Sequence, residues 1–286
     1  MKGKLRVAIL GTGKIGTDLL IKIRRSNLLT CSIFAGRNSG SDGMLKAQEL
    51  GIVTSDKGID GLVSSPEDFD VVVDCTSAKS HEHHWRVCQE LGKPIVDMTP
   101  AKLGSFCVPV ISSKIEDKNI NMITCGGQTS IPIAYAISLV HDNIEYIEVA
   151  SNIASLSAGP ATRENLDEYV ETTQLALKQF SGAKKSKAIL ILNPATPPID
   201  MLTTIYAKIH NPKIEEIRKS IEDMVESVRK YVPGYQIVVP PILKDGIVFT
   251  TVKVIGAGDY LPQYAGNLDI INCAAIAVLE KMARNI

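Results

Sequence analysis

Short apolar runs alternate with helical patterns over the first 125 residues of the chain. The first run, Leu5 to Leu10, leads into Gly11-Thr12-Gly13-Lys14-Ile15-Gly16, and apolar residues then recur at helical spacing from Thr17 to Arg25. The other predicted elements are strands at Leu29 to Ala35, Val71 to Cys75, Ile95 to Asp97 and Ile120 to Cys125, and helices around Gly43 to Leu50 and Glu82 to Leu91. This alternation predicts an α/β fold with a doubly wound parallel sheet.

From Ile144 onward the pattern changes to longer β-branched runs with two convincing helices between them. One helix is predicted from Asn165 to Phe180, and the other carries one apolar face from Ile214 to Val228. Lys244-Asp245-Gly246 lies between two such runs and predicts a hairpin. The predicted strands are Ile144 to Ala150, Lys187 to Leu192, Thr203 to Ile209, Tyr235 to Val239 and Ile247 to Ile255. We expect an α+β domain with a mainly antiparallel sheet and both helices on one side.

The composition is that of an ordinary folded protein. Among 286 residues, 31 Lys and Arg balance 31 Asp and Glu, so the basic excess that nucleic-acid binding requires is absent. The N-terminal apolar run meets glycines rather than a cleavage site, and no apolar stretch is long enough to span a membrane. We therefore expect a cytoplasmic protein without nucleic-acid or membrane partners. The six cysteines show no CxxC pair, which argues against disulfides and structural zinc.

Gly11, Gly13 and Gly16 fit the G-x-G-x-x-G pattern directly after the first predicted strand. In this setting the first glycine turns the chain, the second lets a pyrophosphate approach the backbone, and the third lets helix and strand pack closely. The helix N-terminus adds amide donors and a partial positive charge. We expect this turn to bind a dinucleotide.

Arg37 stands at the end of the second predicted strand, where an acidic residue commonly binds the adenosine ribose of NAD. An arginine there can pair with the 2′-phosphate of NADP. A solvated Arg37 beside bound NAD is an equally good interpretation, so both cofactors stay open.

Cys125 ends a predicted strand (residues 121–124) and precedes Gly126-Gly127-Gln128 and an apolar helix from Ser130 to about Val140. We expect the positive end of this helix to lower the thiol pKa and favour the thiolate. The two glycines are expected to leave space beside the sulfur and to direct their amides at an oxyanion. Cys125 is therefore the candidate nucleophile. The other cysteines are expected to be packing residues.

The polar cluster His81-Glu82-His83-His84 does not predict a metal site. On a helix His81 and His84 share a face, but no third ligand is evident. We expect a solvated helix start, with His81 also a candidate for lining the cofactor cleft. Asp97 follows a strand and is expected either to turn the Thr99-Pro100 loop or to act as a capping residue.

Seven motifs, in this order, resemble the acylating acetaldehyde dehydrogenases that act with an aldolase in bacterial degradation of aromatic compounds. They are ILGTGKIGTDLL, DCTSAKSH, VDMTPA, CGGQTSIP, SAGPATRENLDEYVETT, LNPATPP and GDYLPQYAGNLDI. The resemblance covers nearly the whole chain. It implies that Cys125 forms the acyl thioester, that coenzyme A accepts the acyl group, and that Thr12 to Ile15 hold the dinucleotide. It further implies cofactor contacts from Ser157, Ala158, Gly159, Pro160, Ala161, Thr162, Arg163, Asn165 and Asn267.

Two departures from the family pattern bear on the site. The family usually has an aspartate-containing stretch where this chain has Arg37-Asn38. It commonly carries an arginine and an aspartate where this chain has Leu202 and Thr203. Asp200 is nearby, and the general base is left unassigned.

These patterns predict two domains. Residues 1–128, completed by a C-terminal helix within residues 262–286, form the expected dinucleotide-binding domain, and residues 129–261 form the catalytic and dimerisation domain. The broad second sheet is the expected surface for a homodimer or higher homo-oligomer.

The predicted function is oxidation of a short-chain aldehyde with NAD or NADP and coenzyme A. One alternative is a semialdehyde dehydrogenase that uses phosphate as acceptor, for which Arg163 is the available loop cation. Another is a non-catalytic, cofactor-binding partner subunit of an aldolase.

Overall fold

The apolar runs of the N-terminal region assemble into a seven-stranded sheet in the computed structural model, which describes residues 3–112 and 115–285 apart from the side chains of Pro160 and Ala161. The strands are β1 (Leu5–Leu10), β2 (Leu29–Ala35), β3 (Thr54–Ser55), β4 (Val71–Asp74), β5 (Ile95–Asp97), β6 (Ser105–Phe106) and β7 (Asn119–Asn121). The helices are α1 (Lys14–Arg25), α2 (Asp42–Glu49), α3 (Ile59–Val63) and α4 (Ala78–Glu90).

The order of this sheet is β3-β2-β1-β4-β5-β7-β6, and its strands run parallel. The predicted doubly wound parallel sheet is confirmed. The chain reverses its direction of winding between β1 and β4, and ligands of such sheets bind beside the carboxyl ends of the strands at this point. Gly11 follows β1 and Cys75 follows β4, so both lie at that edge.

The second unit contains a five-stranded mixed sheet with order β11-β12-β10-β8-β9 within the part of the chain that the structure describes. Its strands are β8 (Ile144–Ala154), β9 (Lys185–Asn193), β10 (Met201–Ile209), β11 (Tyr235–Lys244) and β12 (Ile247–Val254). Its helices are α5 (Cys125–Ser138), α6 (Pro160–Glu164), α7 (Leu166–Ser181) and α8 (Ile214–Arg229). The sheet is mainly antiparallel, as predicted, although β8 and β9 pair in parallel because α7 crosses between them.

The predicted hairpin between β11 and β12 is confirmed. Asp245 and Gly246 form a two-residue turn, with φ angles of 51° and 76°. A turn with two positive φ angles matches the twist of the strands that it connects.

The last helix, α9 (Gly266–Arg284), completes the first unit with its residues from Asn272 onward. Asn272 Nδ2 donates to the carbonyl of Ile15, 3.1 Å away, and to Asp18, which ties this helix to α1. The compact units divide at Met122/Ile123 and at Ile271/Asn272. The predicted domain boundaries after residues 128 and 261 stay a prediction.

The prediction was wrong between the first sheet and the nucleophile candidate. β7 ends at Asn121 rather than continuing to Cys125, and the following helix begins at Cys125 rather than near Ser130. Thr124 caps this helix by accepting a hydrogen bond from the Gly127 amide at 2.8 Å. A helix that starts on a threonine cap tolerates glycines in its first turn, where packing rather than propensity decides.

Candidate active site

The glycine turn of the first unit shows a different steric requirement at each glycine. Gly11 has a φ of +111°, and a Cβ on it would lie 2.7 Å from the Cys75 carbonyl oxygen. A Cβ on Gly16 would overlap the Gly11 carbonyl oxygen. A Cβ on Gly13 would meet no atom within 4 Å. The first and third glycines are therefore needed for folding, and the second leaves open space at the N-terminus of α1.

This arrangement fits a dinucleotide pyrophosphate. Gly13 is the residue before α1 and is exposed, so the amides of the first helical turn point toward the open space that its missing side chain leaves. Thr12, Lys14 and Ile15 flank that space on the same turn. These predicted residues are thus brought together with the glycines by the fold of the first unit.

The residues after β2 lie beside the glycine turn. A Cβ on Gly36 would lie 2.5 Å from Thr12 Cγ2, and Thr12 Oγ1 lies 3.1 Å from Ser41 Oγ. Arg37 is exposed at this corner. The side chains gathered there are hydroxyls and a cation, a set that suits a phosphate better than it suits the two hydroxyls of a ribose.

The expectation of a solvated helix start at residues 81–84 was wrong for both histidines that share a face. His81 and His84 are buried, and the Nδ1 atom of each donates to Asp74 Oδ2 at 2.9 Å. Glu82 and His83 are exposed, as expected. Three residues of α4 precede His81, and the histidines lie on the buried face of this helix together with Cys88.

Asp74 is the last residue of β4 and directly precedes Cys75, whose carbonyl lies beside Gly11 of the glycine turn. Thr76 donates to Asp74 Oδ1 through its amide at 3.0 Å and its hydroxyl at 2.6 Å. Burial opposes the ionised form, but the hydrogen bonds from His81 and His84 prevail and lower the pKa of Asp74 to about 2. Asp74 is therefore a structural anion that fixes the loop.

Asp97 occupies the corresponding position on β5. Its Oδ1 accepts the Thr99 amide at 2.7 Å, which confirms the predicted cap. Its Oδ2 lies 3.4 Å from His81 Nε2. Burial raises the pKa of Asp97 to about 7, with the nearby Asp74 adding to the shift and His81 opposing it.

Within the described residues, no group of three His, Cys, Asp or Glu side chains could hold a metal ion.

Cys125 is the first residue of α5 and is 9% exposed. The helix is buried along nearly its whole length, because nearly all of its side chains are apolar or small. The thiol thus lies at a helix N-terminus, as expected, but in an apolar setting.

The Tyr169 hydroxyl is the polar group next to the sulfur. It lies 3.7 Å from Cys125 Sγ and accepts the Gly126 amide at 2.9 Å. The Gly127 amide is bound by Thr124. The expectation that these glycines leave open space and direct their amides at an oxyanion was wrong, because a Cβ on Gly126 would overlap the Tyr169 hydroxyl and both amides have acceptors within the protein.

The expected lowering of the thiol pKa was also wrong. Burial raises the pKa of Cys125, while the Tyr169 hydroxyl and the Gly126 amide partly oppose this. The desolvation of a fully enclosed thiolate outweighs the partial charge of one helix end.

The loop predicted to contact the cofactor runs from the end of β8 to α7. Ser157 is buried and donates to the Ala154 carbonyl at 2.7 Å. Arg163 folds back on the loop, donating to the carbonyls of Ala158 at 3.2 Å and Ser155 at 3.0 Å. The predicted residues Ala158, Gly159, Thr162 and Asn165 lie on the same segment. The predicted side chains of Pro160 and Ala161 lie outside the described residues.

Asn267, on the first turn of α9, is 1% exposed, and its Oδ1 has no hydrogen-bond partner in the part of the chain that is described. A buried amide oxygen without a donor is costly unless a ligand supplies one. The predicted cofactor contact of Asn267 stays a prediction.

The positions that depart from the family pattern do not supply a general base. Thr203 is buried and lies 3.0 Å from Ser151 Oγ, and Leu202 lies on the opposite face of β10. Asp200 pairs with Lys253 at 3.7 Å.

Comparisons with known proteins give a consistent family. The chain matches the family model of the prokaryotic acetaldehyde dehydrogenase dimerisation region over residues 125–262. It is 62% identical to an acetaldehyde dehydrogenase of Pectobacterium atrosepticum over 284 residues, which are 98% of this chain and 96% of the relative. It is 54% identical to an acetaldehyde dehydrogenase of Spirochaeta aurantia over 98% of this chain and 95% of the relative.

A solved structure with the same overall fold is an aspartate semialdehyde dehydrogenase from Candida albicans, determined with NADP. It superposes with a TM-score of 0.63 at 12% identity and covers 97% of this chain and 100% of that chain. At this identity the likeness concerns the fold. Identities of 54% and 62% over nearly the full length show more: the chain is an oxidoreductase that belongs to the acetaldehyde dehydrogenase family.

Proposed function

We propose that this protein oxidises a short-chain aldehyde such as acetaldehyde and transfers the acyl group to coenzyme A, with Cys125 as the nucleophile. The observation that carries the proposal is the thiol on the first residue of α5, met by a buried tyrosine hydroxyl, in the segment that matches the family model. Relatives named acetaldehyde dehydrogenases support the aldehyde as substrate.

The residues of the first unit fit a nicotinamide dinucleotide. Gly11 to Gly16 would hold its pyrophosphate, and Arg37 would lie near its adenosine ribose. The cofactor contacts of Asn267 and of the loop from Ser157 to Asn165, which belong to the second unit, stay a prediction from the family resemblance. When bound, this cofactor supplies the hydride acceptor for aldehyde oxidation. The hydroxyls and the guanidinium around Arg37 could bind a 2′-phosphate, so NADP is a candidate cofactor as well as NAD.

Cys125 divides the reaction into two steps. Its thiol proton goes to solvent, and the thiolate forms a bond to the aldehyde carbon to give a hemithioacetal alkoxide. Loss of a hydride from that carbon, for which the bound dinucleotide would be the acceptor, re-forms the carbonyl as an acyl thioester on Sγ. The thiol of coenzyme A then attacks this thioester, acyl-CoA leaves and Cys125 is regenerated. The acyl group thus stays on sulfur throughout, which conserves its reactivity.

The match to a dimerisation family model supports a homodimer. We propose the helix-free face of the second sheet as its surface. Tyr206 and Phe249 lie side by side there, with ring centroids 6.1 Å apart, and Thr204 and Thr251 are hydrogen-bonded at 2.9 Å. The predicted aldolase partner and cytoplasmic location stay predictions.

Acyl transfer to phosphate is less well supported. That reaction needs cations that converge on an anion, and the loop cation Arg163 is engaged by the backbone of its own loop. Family membership favours an enzyme over a non-catalytic partner subunit.

The test uses the purified protein with acetaldehyde and NAD⁺ or NADP⁺, with either coenzyme A or phosphate as acceptor. We expect acyl-CoA, and, when coenzyme A is withheld, an acyl adduct on Cys125 seen by peptide mass spectrometry. C125S should lose both. C31S is the matched control, because Cys31 is also buried and burial raises its pKa to about 12, but its thiol contacts the Ile33 carbonyl in the other unit. Acyl phosphate without thiol dependence, or turnover by C125S, would overturn the proposal.

A further inference from the structure

We propose that the Tyr169 hydroxyl stabilises the thiolate of Cys125 by donating a hydrogen bond to Sγ while it accepts one from the Gly126 amide. This inference rests on the proposed role of Cys125 as nucleophile. It assigns a residue on α7 to the reaction and gives a reason for the glycine that follows the cysteine.

The direction of each hydrogen bond can be assigned from the surrounding hydroxyls. Thr173 Oγ1 donates to the Tyr169 carbonyl at 2.7 Å, so its single proton is used. Thr173 Oγ1 therefore accepts a hydrogen bond from Thr124 Oγ1, which lies 2.8 Å away. The hydroxyl proton of Thr124 is used in this bond. The Gly126 amide donates to the Tyr169 oxygen. Tyr169 also interacts with Thr124, whose oxygen already accepts the Gly127 amide. We therefore assign the tyrosine proton to the sulfur, 3.7 Å away.

The surroundings make this hydrogen bond matter. Cys125 is 9% exposed and Tyr169 is 6% exposed, so water does little to solvate a charged sulfur. Burial raises the pKa of Tyr169 well above its usual value, and the phenol therefore stays a donor while the thiol ionises. The same hydroxyl lowers the pKa of Cys125 against the effect of burial. Bonds to an ionised group are stronger than bonds between neutral groups.

Gly126 is the steric condition for this contact. A Cβ at residue 126 would overlap the Tyr169 hydroxyl. The glycine thus allows the phenol to approach the backbone beside the sulfur.

The test is the pH dependence of Cys125 alkylation by iodoacetamide, followed by mass spectrometry of its peptide, in the unmodified protein and in Y169F. We expect Y169F to react about tenfold more slowly near neutral pH, the change in thiolate fraction that one pKa unit gives, and to approach the rate of the unmodified protein at high pH. A change in access alone would lower the rate equally at every pH.

Y235F is the matched control. Tyr235 is also buried, and its hydroxyl donates to the Thr129 carbonyl of α5 at 2.6 Å rather than to the sulfur. Its alkylation profile should be that of the unmodified protein. An unchanged profile in Y169F, or the same shift in Y235F, would overturn the inference. Because alkylation needs neither aldehyde nor coenzyme A, such a result leaves the proposed function to be judged by the acyl adduct on Cys125.

Discussion

The Nδ1 atom of His81 lies 2.9 Å from Oδ2 of Asp74, with both side chains fully buried at the carboxyl edge of the first sheet. The Nε2 atom on the other side of the ring lies 3.2 Å from Asn119 Nδ2 and 3.4 Å from Asp97 Oδ2. The imidazole therefore connects α4 to the last residues of β4 and β5 and to the first residue of β7. When neutral it accepts from Asn119, and when charged it donates to Asp97.

This connection predicts that the folded state loses stability as the pH rises toward neutrality. The pKa of Asp97 is raised from 3.8 to about 7, because burial disfavours its charge. Between these values the unfolded chain releases a proton that the folded chain keeps, so the free energy of unfolding falls as the pH rises. The pKa of His81 is also raised, with Asp74 prevailing over burial, and its contribution is lost in the same direction above pH 6.5. Asp74 acts oppositely, losing its contribution below pH 3.8.

We expect urea unfolding to show that the free energy of unfolding falls between pH 4.5 and 8. In D97N this decrease should be smaller by about 2–4 kcal/mol. In D97N the side-chain oxygen can still accept the Thr99 amide, so the cap survives. H83Q is the control, since His83 is exposed on the same helix, and it should keep the slope of the unmodified protein. A D97N variant with the same slope as the unmodified protein would contradict the prediction.

Local patterns were sufficient to predict most of the longer elements of this fold and the turn that suits a dinucleotide, but not the short β3, α3 and β6. The parallel sheet follows from strands and helices in alternation, and the glycine turn follows from residues within one β-turn-α unit. Similarly, Asp245-Gly246 predicts its hairpin because the required backbone angles belong to those two residues. Each of these inferences depends on neighbours in the chain.

The parts that sequence reasoning missed depend on contacts between distant residues. Tyr169 is 44 residues from Cys125, and no spacing rule links them. A signal was present, because Tyr169 and Thr173 are polar residues on the apolar face of α7, but it does not identify their partners. In the same way, the prediction that His81 and His84 are solvated was wrong because it did not include Asp74. This anion stabilises both buried histidines from a strand seven and ten residues earlier in the chain.

Two alanine substitutions in the glycine turn should affect different properties: G13A should weaken cofactor binding, and G16A should lower stability. G13A places a methyl group in open space, so we expect its free energy of unfolding to change by less than about 1 kcal/mol. The methyl group would occupy the proposed pyrophosphate space, so NAD⁺ affinity should fall at least about tenfold, or ~1.4 kcal/mol. G16A overlaps the Gly11 carbonyl and should lose about 1–3 kcal/mol of stability. Calorimetric titration and urea unfolding separate the two, and a G13A variant that binds normally would argue against the proposed site.

Gly126 and Tyr169 should be energetically coupled. G126A introduces a methyl group that overlaps the tyrosine hydroxyl, and we expect it to cost about 1–3 kcal/mol of stability. In G126A/Y169F the overlapping oxygen is gone, so the double variant should be more stable than the sum of the single effects predicts, by about 0.5–3 kcal/mol. Urea unfolding of the four proteins measures this coupling. Strict additivity would mean that the alanine is accommodated without moving the phenol.

Arg37 predicts the cofactor preference. The corner that it shares with Thr12, Gly36 and Ser41 carries hydroxyls and one exposed guanidinium. R37D would replace attraction to a 2′-phosphate by repulsion. We expect the ratio of kcat/KM with NADP⁺ to kcat/KM with NAD⁺ to fall by a factor that corresponds to about 1–3 kcal/mol. The matched control is R24D, which makes the same charge change at an exposed position near the end of α1. Because R24D alters the net charge of the unit equally, a shift of the NADP⁺ to NAD⁺ ratio in R37D beyond that in R24D isolates a local contact. Equal ratios in the two variants would mean that Arg37 is a solvated surface residue and that the corner does not select between the cofactors.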